Sequence, residues 1–336
     1  GCSRADATIR SMLCSQTQMR TLARFACATM AMLGLVGCAQ EAPTSTQGTK
    51  LIGFSQIGAE SAWRVAETAS ITIEAKKRGY DLRVADAQGR LEKQLEALRG
   101  FVAQGVDAVI LAPQKEQGFE PALRELKEAG IPVILVDRGV EADPSLYATL
   151  IASDFVAEGR MAAEWLITHA TGDVRVIELE GTAGSAPAID RKRGFHEALA
   201  AHPRIQVVRS QAAQFTLAEG KKQMEAIVRS EQQPFQAVYA HNDDMALGAM
   251  DALKAAGRQP GKDVLVISVD ATQPAFEALV RGELSATVEC TPLLGPLVFD
   301  ALDTLLQGGQ VAPRMVVPDR IFDSSNAAAE LPNRRY

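Results

Sequence analysis

The chain has 336 residues, 47% hydrophobic and 23% charged, which is enough apolar material for two α/β lobes with separate cores. Its formal net charge is −6 and its basic runs are short, Arg191-Lys192-Arg193 being one of them. An acidic body of this kind excludes nucleic acid as the main partner.

The N-terminal segment reads as a processing signal. Met19-Arg20-Thr21-Leu22-Ala23-Arg24 is a short basic region, and residues 25–36 form an apolar run. A run of about a dozen residues is too short to span a bilayer as a mature helix. It ends in Leu35-Val36-Gly37-Cys38, which resembles a bacterial lipoprotein box with Cys38 as the lipidated residue. Residues 1–37 are therefore expected to be a signal peptide with an over-extended start. Residues 38–49 are expected to be the lipidated cysteine and a polar linker, tethering the protein outside the cytoplasm. Cys2, Cys14 and Cys27 fall in the discarded segment, so Cys290 is the one free thiol expected in the mature body. His169, His196, His202 and His241 show no ligand spacing, so neither a metal nor a cofactor is expected.

From Leu51 onward short apolar runs alternate with amphipathic stretches. Strands are predicted at 51–54, 82–85, 108–111 and 133–136, with helices over 61–78, 91–104 and 121–129 between them. Gly79, Gly105 and Gly130 follow these helices, where left-handed caps are needed. The rhythm restarts after Ile151, with strands at 174–179, 205–208, 237–240 and 264–267. Helices are predicted over 155–168, 188–201, 217–230, 245–256 and 274–281. A strand at 286–289, a helix over 295–307 and an extended stretch at 315–317 complete the pattern. Two such half-chains imply two Rossmann-like α/β lobes with parallel sheets, joined by a hinge of three crossovers near 151–154, 282–286 and 311–315. The first lobe is assigned residues 50–151 and 286–311, and the second 152–285 and 312–330. In open sheets of this kind a ligand sits beyond the carboxyl ends of the strands, here between the lobes.

Catalytic fingerprints are missing: there is no GxxxxGK[ST], no GxGxxG after a strand and no GxSxG. Gly181-Thr182-Ala183-Gly184 lacks the lysine and spacing of a phosphate loop and reads as a tight turn. His241-Asn242-Asp243-Asp244 reads as a helix start, with Asn242 or Asp243 as its cap. Polar residues do gather at the strand ends: Glu60, Trp63 and Arg64 at the first strand–helix junction, then Asp137-Arg138, Arg191, Asn242 and Asp270. Singly, most of them read as a surface ion pair or a cap, and Asp137-Arg138 reads equally as either that or a ligand contact. Together they suit a sugar, whose hydroxyls both donate and accept and whose C–H face packs on an aromatic ring.

Longer motifs carry a resemblance: Gly53-Phe54-Ser55-Gln56, Glu60-Ser61-Ala62-Trp63-Arg64, Phe101-Val102-Ala103-Gln104-Gly105-Val106-Asp107-Ala108, Asp137-Arg138, Ala188-Ile189-Asp190-Arg191-Lys192, Tyr239-Ala240-His241-Asn242-Asp243-Asp244-Met245 and Pro260-Gly261-Lys262-Asp263. With these, residues 50–318 resemble the ribose/galactose-type periplasmic sugar-binding proteins of ABC importers, most of all the galactofuranose-binding ones. The resemblance implies a type I periplasmic binding fold and ligand contacts at Glu60, Trp63, Arg64, Asp137, Arg138, Arg191, Asn242 and Asp270, with Phe215 as the aromatic of the second lobe. The ribose-specific relatives carry two aromatics and an Asn where this chain has Trp63, Arg64 and Ser61, which turns the resemblance away from ribose. Ala271-Thr272 stand where the class carries Gly, Cys290 lies near a ligand-binding Gln of ribose-type relatives, and the lipobox replaces a plain cleavable signal.

The expected function is a non-enzymatic, monomeric, extracytoplasmic receptor that captures a monosaccharide and delivers it to an ABC permease in the inner membrane. The alternative is a receptor feeding chemotaxis or signalling. A repressor core would need a helix-turn-helix before Lys50, where the signal stands. A sugar hydrolase would need a carboxylate free to act as an acid, whereas Glu60 and Asp137 lie beside Arg64 and Arg138, which hold carboxylates ionised.

Overall fold

The computed structural model describes residues 48–336; the signal region, Cys38 and most of the linker lie outside the described residues. The first lobe is built from β1 (Leu51–Gln56), α1 (Ala62–Arg78), β2 (Asp81–Asp86), α2 (Leu91–Gln104), β3 (Ala108–Leu111), α3 (Glu120–Glu128), β4 (Val133–Val136) and β5 (Thr149–Ser153). The chain then crosses at Asp154. The second lobe follows with α4 (Phe155–His169), β6 (Val174–Glu180), α5 (Ala186–Leu199), β7 (Ile205–Ala212), α6 (Leu217–Ser230), β8 (Ala237–Ala240), α7 (Asp243–Ala255), β9 (Leu265–Asp270), α8 (Gln273–Val280) and β10 (Ala286–Glu289). The last part comprises α9 (Gly295–Leu306), β11 (Arg314–Val317), β12 (Ile321–Asp323) and α10 (Ala327–Glu330).

The two sheets repeat one topology. The first runs β2-β1-β3-β4-β5-β11 and the second β7-β6-β8-β9-β10-β12, all parallel except the β10–β12 pair. Strands buried on both faces need no alternation, and β3 (Ala-Val-Ile-Leu) and β4 (Val-Ile-Leu-Val) are fully buried apolar runs. Helices cover both faces. Ile71 and Ala75 of α1 pack with Val298, Phe299 and Leu302 of α9 on one side of the first sheet. Leu98 and Phe101 of α2 pack with Leu123 and Leu126 of α3 on the other. Gly79, Gly105 and Gly130 all take positive φ after their helices.

The structure moves two of the expected crossovers. Ala286–Glu289 pairs with β9 in the second sheet, so the return to the first lobe comes after it, between Glu289 and Gly295. Arg314–Val317 pairs with β5 in the first sheet, so the third crossing lies between Val317 and Ile321. Residues 286–289 thus belong to the second lobe and 314–317 to the first, the reverse of the sequence assignment. The physical reason is edge completion: each sheet takes its fifth parallel strand before the chain leaves, and β11 then covers the exposed edge of β5. β11 and β12 are the edge strands on this side, and no strand was expected at β5 or β12.

In each lobe the strand order reverses beside the first strand, at β1/β3 and at β6/β8. Those are the switch points where loops diverge and leave a crevice. The carboxyl ends of the two sheets face each other across it, with cross-lobe bonds from the Ala62 amide to Asp244 Oδ2 (3.1 Å) and from the Glu116 amide to the Gly184 carbonyl (3.0 Å).

Candidate functional site

A small cavity lies between the lobes. All nine residues singled out from the sequence line it: Glu60, Trp63, Arg64, Asp137, Arg138, Arg191, Phe215, Asn242 and Asp270. Ser61, Pro187 and Cys290 complete the wall.

From the first lobe, the loop after β1 enters α1 at Ser61, whose hydroxyl caps the helix by accepting from the Arg64 amide at 3.1 Å. This fixes the first turn and turns Arg64 inward. Its guanidinium donates to Glu60 Oε1 (3.1 Å), Glu67 Oε2 (2.5 Å) and Asp137 Oδ2 (2.8 Å). Burial works to lower Arg64, but the Glu67, Asp137 and Glu60 carboxylates overcome it and raise it well above its ordinary value. Arg138 is placed otherwise. It is 3% exposed, donates from Nη1 to the Gln114 carbonyl (3.1 Å), and leaves its Nε without a hydrogen-bond partner 3.5 Å from Asp137. Burial and the neighbouring Arg64 push it down to about 10. Glu60 is held below the usual carboxylate range: burial opposes ionisation, and Arg64 and Arg138 outweigh burial. Asp137 bends the chain with φ +64, which turns Arg138 back over the cavity.

From the second lobe, Arg191 in the second turn of α5 donates from Nε to Glu158 Oε2 (2.6 Å) and from Nη1 to the His241 carbonyl (2.7 Å). Its Nη2 stands 3.9 Å from Asp270 Oδ1. Burial opposes the Arg191 charge, but Glu158, Cys290 and Asp270 raise it. Asp270 is raised well above the ordinary aspartate, because burial outweighs the pull of Arg191. Asn242 is the cap of α7: its Oδ1 accepts from the Met245 amide (3.0 Å) and its Nδ2 donates to the Phe215 carbonyl (3.0 Å). Phe215 reaches the cavity on a turn in which Gln214 and Phe215 both have positive φ, near +60. Gly181 makes room for the ring, since a Cβ there would overlap Phe215. Arg138 lies 5.2 Å above that ring. Opposite, Trp63 is 5% exposed and donates from Nε1 to the Cys290 carbonyl at 2.5 Å, tying α1 to the second crossover. The cavity thus offers three guanidiniums, three carboxylates and two ring-bearing walls. Glu60 Oε2 and Arg138 Nε are buried around it without a partner.

Residues 52–310 match the family model of the periplasmic binding protein domain. The chain belongs to that family. It is 44% identical to the galactofuranose-binding protein YtfQ of Escherichia coli (strain K12) over 270 residues, covering 79% of this chain and 85% of that protein. Among solved structures it is similar to the periplasmic binding component of the arabinose ABC transporter of Shewanella sp. ANA-3, bound to α- and β-L-arabinofuranose. That match has 46% identity and a TM-score of 0.83, and covers 85% of this chain and 96% of that one. A Mycobacterium smegmatis protein in complex with β-D-fucofuranose gives 46% identity and a TM-score of 0.82, covering 85% and 95%. The Escherichia coli and Shewanella relatives are binding proteins, and this chain shares the type I periplasmic binding fold.

Sequence reading missed the buried polar layer behind the cavity of this periplasmic binding protein. Glu67 (0% exposed) accepts from Arg64 and from Gln56 Nε2 (2.9 Å), and Glu158 (0% exposed) accepts from Arg191. Burial raises both carboxyls, against the pull of their arginines. The missed signal was their position. Glu67 falls on the stripe of α1 that also carries Ile71 and Ala75, and Glu158 on the stripe of α4 with Ala162 and Leu166. Asp243, expected only at a helix start, braces the Asp270 turn. Its Oδ1 accepts from Ser268 Oγ (2.5 Å) and Thr287 Oγ1 (2.8 Å), and its Oδ2 from the Thr272 amide (2.7 Å) and hydroxyl (2.9 Å). No group of metal-ligating side chains occurs among the described residues, and none of their helices is long and apolar enough to cross a membrane.

Proposed function

We propose that this chain is an extracytoplasmic receptor that captures a monosaccharide in its furanose form and delivers it to an ABC-type importer. The observation that carries the reading is the wall of Arg64, Arg138 and Arg191 with Glu60, Asp137 and Asp270 around a cavity closed by Trp63 and Phe215. Planar guanidiniums and carboxylates engage neighbouring hydroxyls in pairs, and the rings take the C–H faces of the sugar. The nine lining residues are assigned as ligand contacts. The furanose preference is supported by the likeness to galactofuranose-, arabinofuranose- and fucofuranose-binding proteins. Capture follows from hinge closure: the lobes rotate about the three crossovers and shut the sugar away from water. In the closed form the sugar's hydroxyls replace the bonds that Arg138 Nε and Glu60 Oε2 do not find within the protein.

Cys38 in Leu35-Val36-Gly37-Cys38 is assigned as the lipid anchor, holding a monomeric receptor at the membrane beside its permease. Incubation with a panel of aldoses, read both by melting temperature and by chromatography of the sugar, tests the role. A receptor gives a shift through mass action and returns the sugar unchanged. No shift with any pentose or hexose at millimolar concentration rejects sugar binding, and conversion of the sugar rejects the non-enzymatic role.

A further inference from the structure

Beyond β12 the chain runs through α10 and folds residues 331–336 back onto the outside of the turn that carries Asp270. Tyr336 Oη donates to the Asp270 carbonyl at 3.2 Å, and the Gln273 amide donates to the Tyr336 carbonyl at 2.6 Å. Arg334 seats this segment. Its Nη1 pairs with Glu289 Oε1 at 2.9 Å, and its guanidinium lies 4.7 Å from the Phe276 ring and 4.9 Å from that of Phe322. The turn it meets is strained: Asp270 has φ +124 and Ala271 has φ +61, where side chains other than glycine are rarely found. Such a conformation persists only when its surroundings over-determine it. On the inner side Asp243 and Thr287 hold it, through the Thr272 amide and hydroxyl and the Ala271 amide. On the outer side stands Tyr336.

We propose that Tyr336 is a positioning residue for the ligand cavity, its hydroxyl holding the Asp270 turn in the conformation that sets the Asp270 carboxylate beside Arg191. The proposal rests on the sugar-receptor reading of the cavity and extends it to a segment that does not itself line the cavity. The phenol is well suited to hold this turn, because burial pushes Tyr336 up and keeps it a protonated donor throughout the working range. Its partner is the backbone carbonyl of a ligand residue and not the carboxylate, so it acts on orientation and leaves the carboxylate free for sugar. A side chain that merely packs against the second lobe would influence stability and leave affinity alone.

The test is a double-mutant cycle in the full chain, with Tyr336→Phe made both in the wild-type and in the Asp270→Asn background. Asn has the size and shape of Asp, and the bond from Tyr336 goes to the backbone carbonyl, so the second change keeps the partner in place. Affinity for L-arabinose and D-galactose is read by calorimetric titration, alongside melting of the sugar-free protein. Loss of one neutral hydrogen bond is expected to weaken binding about fivefold in the wild-type background. In the Asp270→Asn background the same change is expected to weaken it less than about twofold, with the sugar-free melting temperature within about 2 °C of its parent. Equal losses in the two backgrounds, or a lowered melting temperature with unchanged affinity, overturn the proposal. Should Asp270→Asn bind too weakly to titrate, amide exchange of residues 271–273 in sugar-free Tyr336→Phe decides: faster exchange supports the brace, and unchanged exchange overturns it. A wild-type protein that binds no pentose or hexose removes the receptor reading itself, and this proposal with it.

Discussion

Arg64 and Arg138 line the same cavity but are bound into the protein differently, and their substitutions separate accordingly. Arg64 answers three carboxylates, two of them on Glu67 and Asp137, which are buried. Arg64→Met strands these charges, at a cost of about 3–5 kcal/mol to the sugar-free fold. Arg138 has one hydrogen bond and an unpartnered Nε, and burial already disfavours its charge. Arg138→Ala is therefore expected to leave the sugar-free melting temperature level or slightly higher. Thermal unfolding of the two variants without sugar checks the contrast, and equal losses would refute it. Trp63→Phe keeps a ring face but removes the donor to the Cys290 carbonyl. It is expected to weaken sugar binding by about 1 kcal/mol, and Trp63→Ala by more, in the same titration.

At the scale of elements, α4 and α5 pack closely because glycines meet backbone where they cross. A Cβ at Gly194 would overlap the Val156 carbonyl, and one at Gly159 the Arg191 carbonyl. Gly194→Ala forces the helices apart, with an expected destabilisation of about 1–3 kcal/mol. Because α5 carries Arg191, affinity is expected to fall as well; unfolding and titration of that variant read both effects. An unchanged affinity would mean that Arg191 is held by Glu158 and the His241 carbonyl regardless of helix spacing. Elements of this kind were legible in the sequence because parallel strands read as apolar runs and α2, for example, ends on Gly105. The lining residues were legible for a related reason: they stand at strand ends, where the fold gathers its ligands. Sheet membership was not legible. Ala-Thr-Val-Glu in β10 and Arg-Met-Val-Val in β11 each fit either edge, and only the completed sheets decide between them. Nor was the role of Asp243, since its partners Ser268, Thr272 and Thr287 come from distant segments.

For the molecule as a whole, the hinge region ties folding stability to pH. Ser153 at the first crossover donates to Asp319 Oδ1 at the third (3.1 Å), which ties these two crossovers together. Burial and the nearby Glu158 push Asp319 up to about 8 from an ordinary 3.8. Between those values the folded protein holds a proton that the unfolded chain has released. The stability linked to Asp319 is therefore present in full below about pH 4 and is lost as pH rises through about 8. Asp319→Asn cannot titrate, so its melting temperature is expected to fall less steeply than that of wild type across this interval. Parallel profiles would contradict the assignment.

Capture of a sugar between the lobes is the central claim, and calorimetric titration of wild type and Arg138→Ala with L-arabinose and D-galactose tests it most directly. Saturable binding of one sugar per chain is predicted for the wild type. Removing charge-assisted bonds from the dry cleft is predicted to weaken it by about 2–4 kcal/mol in Arg138→Ala. Absence of binding of any pentose or hexose to wild type, or an unchanged affinity in Arg138→Ala, would contradict the account.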